Sequence, residues 1–272
     1  MKKSLIILSA LLVVGLAYAD IAPIEGNETA GMVGISVPGL QSGNALQILA
    51  VPFAQCIGNA GGSSVKLADL VSTFNLVADD LDPVAADQLI VLGDNNGTPV
   101  YFYYWLKDDG GNKVWTKLNT TSLNGDEQQQ IEPPEASAFA IARGNAVWLK
   151  RPEGVSAATV FLKGQVATSN SPVDIGVGLN LISFGGLTNC TINSVSLNWA
   201  PTGGVKPDKL LIMKDDGSGA FDEYSYRSGE TAKWMVQDGN GFSEAEVEVA
   251  PGKGFWYLRR GALPISLTPV SH

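Results

Sequence analysis

The chain repeats its own outline, and this constrains the fold more than any other feature, because two copies of one pattern must bury their apolar faces in the same way. Asp87-Gln88-Leu89-Ile90-Val91-Leu92-Gly93-Asp94 returns as Asp208-Lys209-Leu210-Leu211-Ile212-Met213-Lys214-Asp215, each followed by a Gly/Asn/Ser turn. Ala142-Arg143-Gly144-Asn145-Ala146-Val147-Trp148-Leu149-Lys150-Arg151 returns without a gap as Ala250-Pro251-Gly252-Lys253-Gly254-Phe255-Trp256-Tyr257-Leu258-Arg259. Between these blocks each copy has an aromatic segment, Tyr101 to Leu106 or Phe221 to Tyr226, then a polar turn and another Trp, Trp115 or Trp234. Upstream, an apolar run ends shortly before a cysteine in both, Cys56 in one and Cys190 in the other. The first copy is longer and therefore carries insertions. The expected organisation is a leader over residues 1–19, a first module with insertions over 20–168 and a second over 169–272.

Within each copy, short apolar or alternating runs rich in Val, Ile, Leu and aromatics are separated by clusters such as Gly93-Asp94-Asn95-Asn96-Gly97 and Asp215-Asp216-Gly217-Ser218-Gly219. Gly, Asn and Asp fill positive-φ turn positions at little steric cost, so these clusters read as hairpins. The fold class expected is all-β, as two tandem, related β-sandwich or barrel-like modules. Leu67, Leu70, Val71 and Phe74 recur at three- and four-residue spacing and predict a short helix within 65–86. Residues 119–138, polar and containing Pro133-Pro134, read as a long loop.

The leader rests on Lys2 and Lys3, an apolar run from Leu5 to Leu16, and Ala17-Tyr18-Ala19 before Asp20, the layout of a cleaved secretory signal. The run is shorter than the roughly 20 apolar residues that span a bilayer. No later segment is apolar enough to do so, and a secreted, cell-surface or periplasmic protein is expected. The net charge of −9 argues against nucleic acid as a partner. The one histidine is His272, at the C-terminus, so a buried site lacks the usual general base and the commonest metal ligand. No cofactor is expected.

Gly178-Leu179-Asn180-Leu181-Ile182-Ser183, Pro251-Gly252-Lys253-Gly254-Phe255-Trp256 and Pro264-Ile265-Ser266-Leu267 resemble the repeated β-module of many bacterial and archaeal exported surface proteins, which opens with G-W-N-L-I-S and closes with P-G-K-G-Y-W. Leu179 stands at the pattern's Trp and Phe255 at its Tyr, substitutions expected to keep a core role. The resemblance implies location and architecture and brings no catalytic residues.

Trp148 and Trp256 lie at matching places in apolar strands and are expected to anchor a hydrophobic core, with a sugar platform as the alternative. Strand alternation puts Tyr101, Tyr103 and Trp105 on one face and Phe102, Tyr104 and Leu106 on the other. If the second set fills the core, the first is an outward stripe able to bind sugar rings or another protein. The alternative is that both faces are covered. Asp94, Asn95, Asn96, Asp215 and Asp216 offer oxygen ligands for Ca²⁺ but lack the spacing of an EF-type loop, and ordinary turns are expected. An acidic pair can hydrolyse glycosides without histidine. Yet Asp79, Asp80, Asp82, Glu132, Glu135, Glu244, Glu246 and Glu248 fall in polar or alternating segments where no pair stands out. Cys56 and Cys190 suggest a disulfide between the copies, with two free buried thiols as the alternative. The function expected is that of a non-enzymatic structural or interaction protein whose partners are other surface proteins or polysaccharide. Carbohydrate binding through the aromatic stripe is the alternative, followed by a carboxylate-based glycoside hydrolase.

Overall fold

The computed structural model describes residues 30–40, 43, 45–53, 64–95, 98–118, 120–124, 127–165, 172–184, 187–194, 200–228, 232–239 and 241–268. The leader, Cys56 and His272 lie outside these residues.

The chain is all-β, and strand order is repeated. In the first half an antiparallel sheet runs Ala45–Ala50, Ala146–Arg151, Gln88–Asn95, Thr98–Asp109, Asn112–Leu118. In the second half the order is Gly178–Ile182, Phe255–Arg259, Lys209–Met213, Phe221–Arg227, Lys233–Asp238, extended by Gly241–Glu244. Each half adds two ribbons. Ala30–Val37 pairs with Ala158–Gln165 as Val173–Ile175 pairs with Ile265–Leu267. Ser64–Lys66 pairs with Ala140–Ala142 as Cys190–Thr191 pairs with Glu248–Val249.

One expectation is corrected in the longer first half. Residues 119–138 hold a hairpin, Thr120–Asn124 with Glu127–Ile131, rather than one long loop. The short helix expected within 65–86 is present as a single turn, Leu67–Leu70, whose two leucines are buried. Phe74, the next residue of the helical spacing, is exposed instead.

Alternation assigns the side chains. On Ala146–Arg151 and its counterpart, Val147, Leu149, Phe255 and Tyr257 enter the core of their own half, while Trp148 and Trp256 point to the opposite face. Arg151 and Arg259 share the core-facing register, and each meets a buried aspartate. Arg151 Nε lies 3.1 Å from Asp87 Oδ1, and Arg259 Nη1 lies 2.6 Å from Asp208 Oδ2, with both carboxylates fully buried. The acid opening one repeated block thus meets the base closing the other, in both halves.

Each aspartate also grips the loop before it. The Asp87 amide donates to Val77 O (2.9 Å) and its carboxylate accepts from Val77 N–H (2.6 Å). Asp208 does the same with Thr202, at 2.7 and 2.8 Å. Each arginine holds the loop after it. Arg151 donates to Ser156 O (2.6 Å) and Arg259 to Leu263 O (3.0 Å).

The two carboxylates differ in what else reaches them. Asp208 accepts from Tyr257 Oη–H (2.8 Å) and from the Arg260 amide (2.7 Å). In the first half the matching residues are Leu149, which has no hydroxyl, and Pro152, which has no N–H. Burial accordingly pushes the Asp87 carboxyl up, against the Val77 amide and Arg151. Burial also pushes Asp208 upward, but its hydrogen bonds from Thr202, Arg260, Arg259 and Tyr257 outweigh that and hold it below the usual value.

Two outcomes are expected. Removing one partner of a buried pair leaves an uncompensated charge, so Asp87→Ala or Arg259→Ala should lose about 3–5 kcal/mol in denaturant unfolding. Asp87→Leu with Arg151→Met should recover most of that loss. For pH, the depressed Asp208 carboxyl contributes stability above its ordinary value of 3.8, lost as pH falls through its lower folded value. Asp87, raised in the fold, has the opposite sign: protonation on acidification favours its folded state. Amide exchange in acid should therefore open the second half's sheet first. Tyr257→Phe should move that opening to higher pH, and an unchanged onset would refute the link.

Candidate interaction surface

The two sheets meet back to back through a third apolar cluster containing Ile48, Ala50, Ala146, Leu181, Met213 and Trp256, against which Leu46, Trp148, Leu211 and Phe221 pack. The Trp148 ring lies 6.3 Å from that of Trp256 and meets Phe221 edge-on at 6.1 Å. These tryptophans therefore sit in the seam between the halves rather than inside either half's own core. Trp256 is buried and Trp148 half-buried.

The backbone contacts of the seam are reciprocal, as at an isologous interface between two copies of one subunit. Ala50 N–H donates to Gly252 O and Ser183 N–H to Gly144 O, both at 2.7 Å. The bridge of Leu49 with Lys253 is matched by that of Ile182 with Asn145. Gly144 and Gly252 have φ of 85° and 78°. A Cβ on Gly144 would lie 2.1 Å from Val173, and one on Gly252 2.5 Å from Ile35, so the repeated glycine is required for approach as well as for φ.

The two ends of the seam differ. At one end, Met213 and Phe221 are covered by Leu46 and Trp148. Register places Leu92 opposite Tyr101 just as Met213 is opposite Phe221, and Leu179 occupies the place of Leu46. At that second end Leu92, Tyr101 and Leu179 are 38%, 44% and 52% exposed. Leu92 and Leu179 line a groove of about 210 Å³ with Ala146, Leu181 and Phe139. The matching crevice at the first end, about 530 Å³, has the Lys253 and Asp215 ion pair in its wall. The core role expected of Leu179 is thus overturned, while Phe255, fully buried, lies within its half's core.

The aromatic stripe is graded. Tyr101 is exposed, Tyr103 half-buried and Trp105 buried, while Phe102, Tyr104 and Leu106 lie in the core. The remaining candidates are tied into local structure. Asp215 pairs with Lys253, and Asp216 accepts from Ser218 N–H in its turn. Asp79 accepts from the amides of Leu81 and Asp82, which hold its carboxyl below the usual range. Glu132 and Glu135 share Lys117, and Glu244 pairs with Lys233. Among the described residues no group of three metal-ligating side chains converges.

Cys190 is a free, half-buried thiol whose pKa burial raises. Its strand position opposite Val249 is matched in the first half by Val65 opposite Ile141, not by Cys56. The expectation of a Cys56 to Cys190 bridge loses its symmetry argument for that reason: spacing from the preceding strand is not preserved where the halves differ in length.

The chain matches no protein-family model, no curated protein and no solved structure. Among the described residues no helix is long and apolar enough to cross a membrane.

Trp148→Ala and Trp256→Ala should be non-additive, with a double-mutant coupling of about 0.5–1.5 kcal/mol beyond lost burial. Strictly additive unfolding energies would show that the rings do not support one another across the seam.

Proposed function

We propose that this chain is an exported, non-enzymatic interaction protein of the cell surface, envelope or extracellular matrix, built from two copies of one β-module joined through their sheet backs. The observation that carries the reading is the exposed apolar end of the seam at Leu92, Tyr101 and Leu179, since exposed apolar patches commonly mark contact surfaces. The secretory layout of residues 1–19 and the resemblance to exported surface modules support the location. The roles of the acidic groups support a non-catalytic reading. The two buried aspartates neutralise arginines and hold loops, and the exposed acids described above either pair with lysines or fall in solvated segments.

Polysaccharide binding is a second reading, favoured by the exposure of Tyr101 on an open strand face. Burial of Trp105 narrows the platform to Tyr101 and the half-buried Tyr103, which suits a contact with one or two sugar rings.

Mass spectrometry of the protein recovered outside the cytoplasm should give Asp20 as its first residue. Retention of Met1 in membrane-extracted material would refute export by cleavage. A glycan array separates the two readings: sugar binding abolished by Tyr101→Ala favours polysaccharide, and a blank array with retained capture of envelope protein favours a protein partner.

A further inference from the structure

Two asparagines of the second half are engaged by the fold. Asn193 donates to Trp234 O and Ala245 O and accepts from Trp234 N–H. Asn180 donates to Gly176 O and Gly178 O and accepts from the Gly176 amide. Asn189 has no such role. It stands between the bend at Leu187 and Thr188 and the strand Cys190–Thr191. Cys190 packs against the second half's core, while Asn189 before it and Thr191 after it are exposed. Among the described residues neither the Asn189 amide nor the Thr191 hydroxyl has a hydrogen-bond partner.

The duplication supplies an internal control. Cys190 opposite Val249 and Thr191 opposite Glu248 take the register of Val65 opposite Ile141 and Lys66 opposite Ala140, which puts Ser64 at the place of Asn189. The residue turned to the core is apolar Val65 in one half and Cys190 in the other. The outward pair is Ser64 and Lys66 in the first half and Asn189 and Thr191 in the second. Packing of the module therefore does not dictate Asn189 or Thr191. Together they form Asn-Cys-Thr, an Asn-x-Thr acceptor triplet without proline at its centre. Its place, on an exposed connection, is one that a modifying enzyme can reach.

We propose that Asn189 is a site of N-linked glycosylation, taking an oligosaccharide from a polyprenyl-diphosphate-linked donor during or after export. The bond formed joins Asn189 Nδ2 to the anomeric carbon of the first sugar. The bond broken joins that carbon to a diphosphate oxygen, which keeps the electron pair and leaves as polyprenyl diphosphate. One Nδ2 proton passes to a basic group of the transferase, and nothing is oxidised or reduced. Thr191 supplies the hydroxyl by which the transferase recognises the triplet. The proposal rests on the exported reading of the chain and adds a surface modification to it. The same triplet pattern occurs at Asn27, Asn96 and Asn119, which lie outside the described residues.

The test uses the full chain recovered from its native cells, digested and mapped by mass spectrometry with electron-transfer fragmentation. The peptide holding Asn189 should carry hexose or N-acetylhexosamine mass placed on that residue. Asn189→Gln and Thr191→Val should lose this mass entirely, and Thr191→Ser should keep it. Because both residues are exposed, the three variants should melt with the parent chain when all are made without the leader. Bare Asn189 on chains that begin at Asp20 would overturn the proposal while leaving export standing. Bare Asn189 on chains that retain Met1 would overturn both. Sugar mass that persists in Thr191→Val, or that fragmentation places on a serine or threonine, would also reject the assignment.

Discussion

Each half holds one buried ion pair that joins segments distant in sequence, and the rest of its sheet is arranged around it. Taking an aspartate and an arginine out of water is expensive, and their mutual attraction offsets this only when the remaining donors and acceptors are satisfied. The fold satisfies them with backbone. The carboxylate takes the amide of the preceding loop, at Val77 or Thr202, and the guanidinium donates to a carbonyl of the following loop, at Ser156 or Leu263. One pair thereby ties two adjacent strands of a sheet to the loops before and after them. Close packing enforces the geometry in the second half, where a Cβ on Gly261 would fall 2.3 Å from the Arg259 guanidinium.

The seam depends on the same strands. Ala146–Arg151 and Phe255–Arg259 turn their arginines inward, so alternation turns Trp148 and Trp256 outward to meet each other. A sheet with an apolar back is a liability in water, and packing the two sheets back to back covers both at once. The reciprocal hydrogen bonds of Ala50 to Gly252 and Ser183 to Gly144 then fix the register of that union. The close approach explains why glycine is repeated where the neighbouring Arg143 and Pro251 differ.

Much of this was legible in the sequence, because strand alternation and turn chemistry are local. The all-β class follows from short apolar runs between Gly/Asn/Asp clusters, and the inward set Phe102, Tyr104 and Leu106 follows from period-two alternation. The landmarks Asp87, Arg151, Asp208 and Arg259 were visible as repeated letters, but their contact was not, since strand order is a non-local property. A charged residue at the same place in two apolar blocks was the available signal for a buried pair. The hairpin within 120–131 was missed because its sequence is polar and lacks the apolar alternation by which strands are recognised. The cysteines misled because they were aligned by distance from a strand, whereas pairing matches Cys190 to Val65. Trp148 and Trp256 pack in a hydrophobic cluster, as their apolar strands suggested, but that this cluster lies between the two sheets was not legible. A large aromatic in an apolar strand signals burial, but only the partner sheet determines on which side.

The halves differ beside the clamp and at the ends of the seam, and the consequences differ by place. Beside the aspartate, Tyr257 and Arg260 in one half are replaced by Leu149 and Pro152 in the other, removing two donors without removing the ion pair. The pair survives because the arginine and one backbone amide already cover the carboxylate, and what changes is the proton affinity of the buried acid. At the seam's ends the difference is one of chain length. Pro38 and Leu40, after the strand Ala30–Val37, lie beside the turn at Gly217, while Gly176 and Val177 alone join the matching strands of the other half. Exposed Leu92, Tyr101 and Leu179 stand at positions whose counterparts Met213, Phe221 and Leu46 pack in the seam cluster. A leucine left exposed alone is ordinary, but two leucines and a tyrosine exposed at the unmatched end of an otherwise reciprocal interface form one apolar surface.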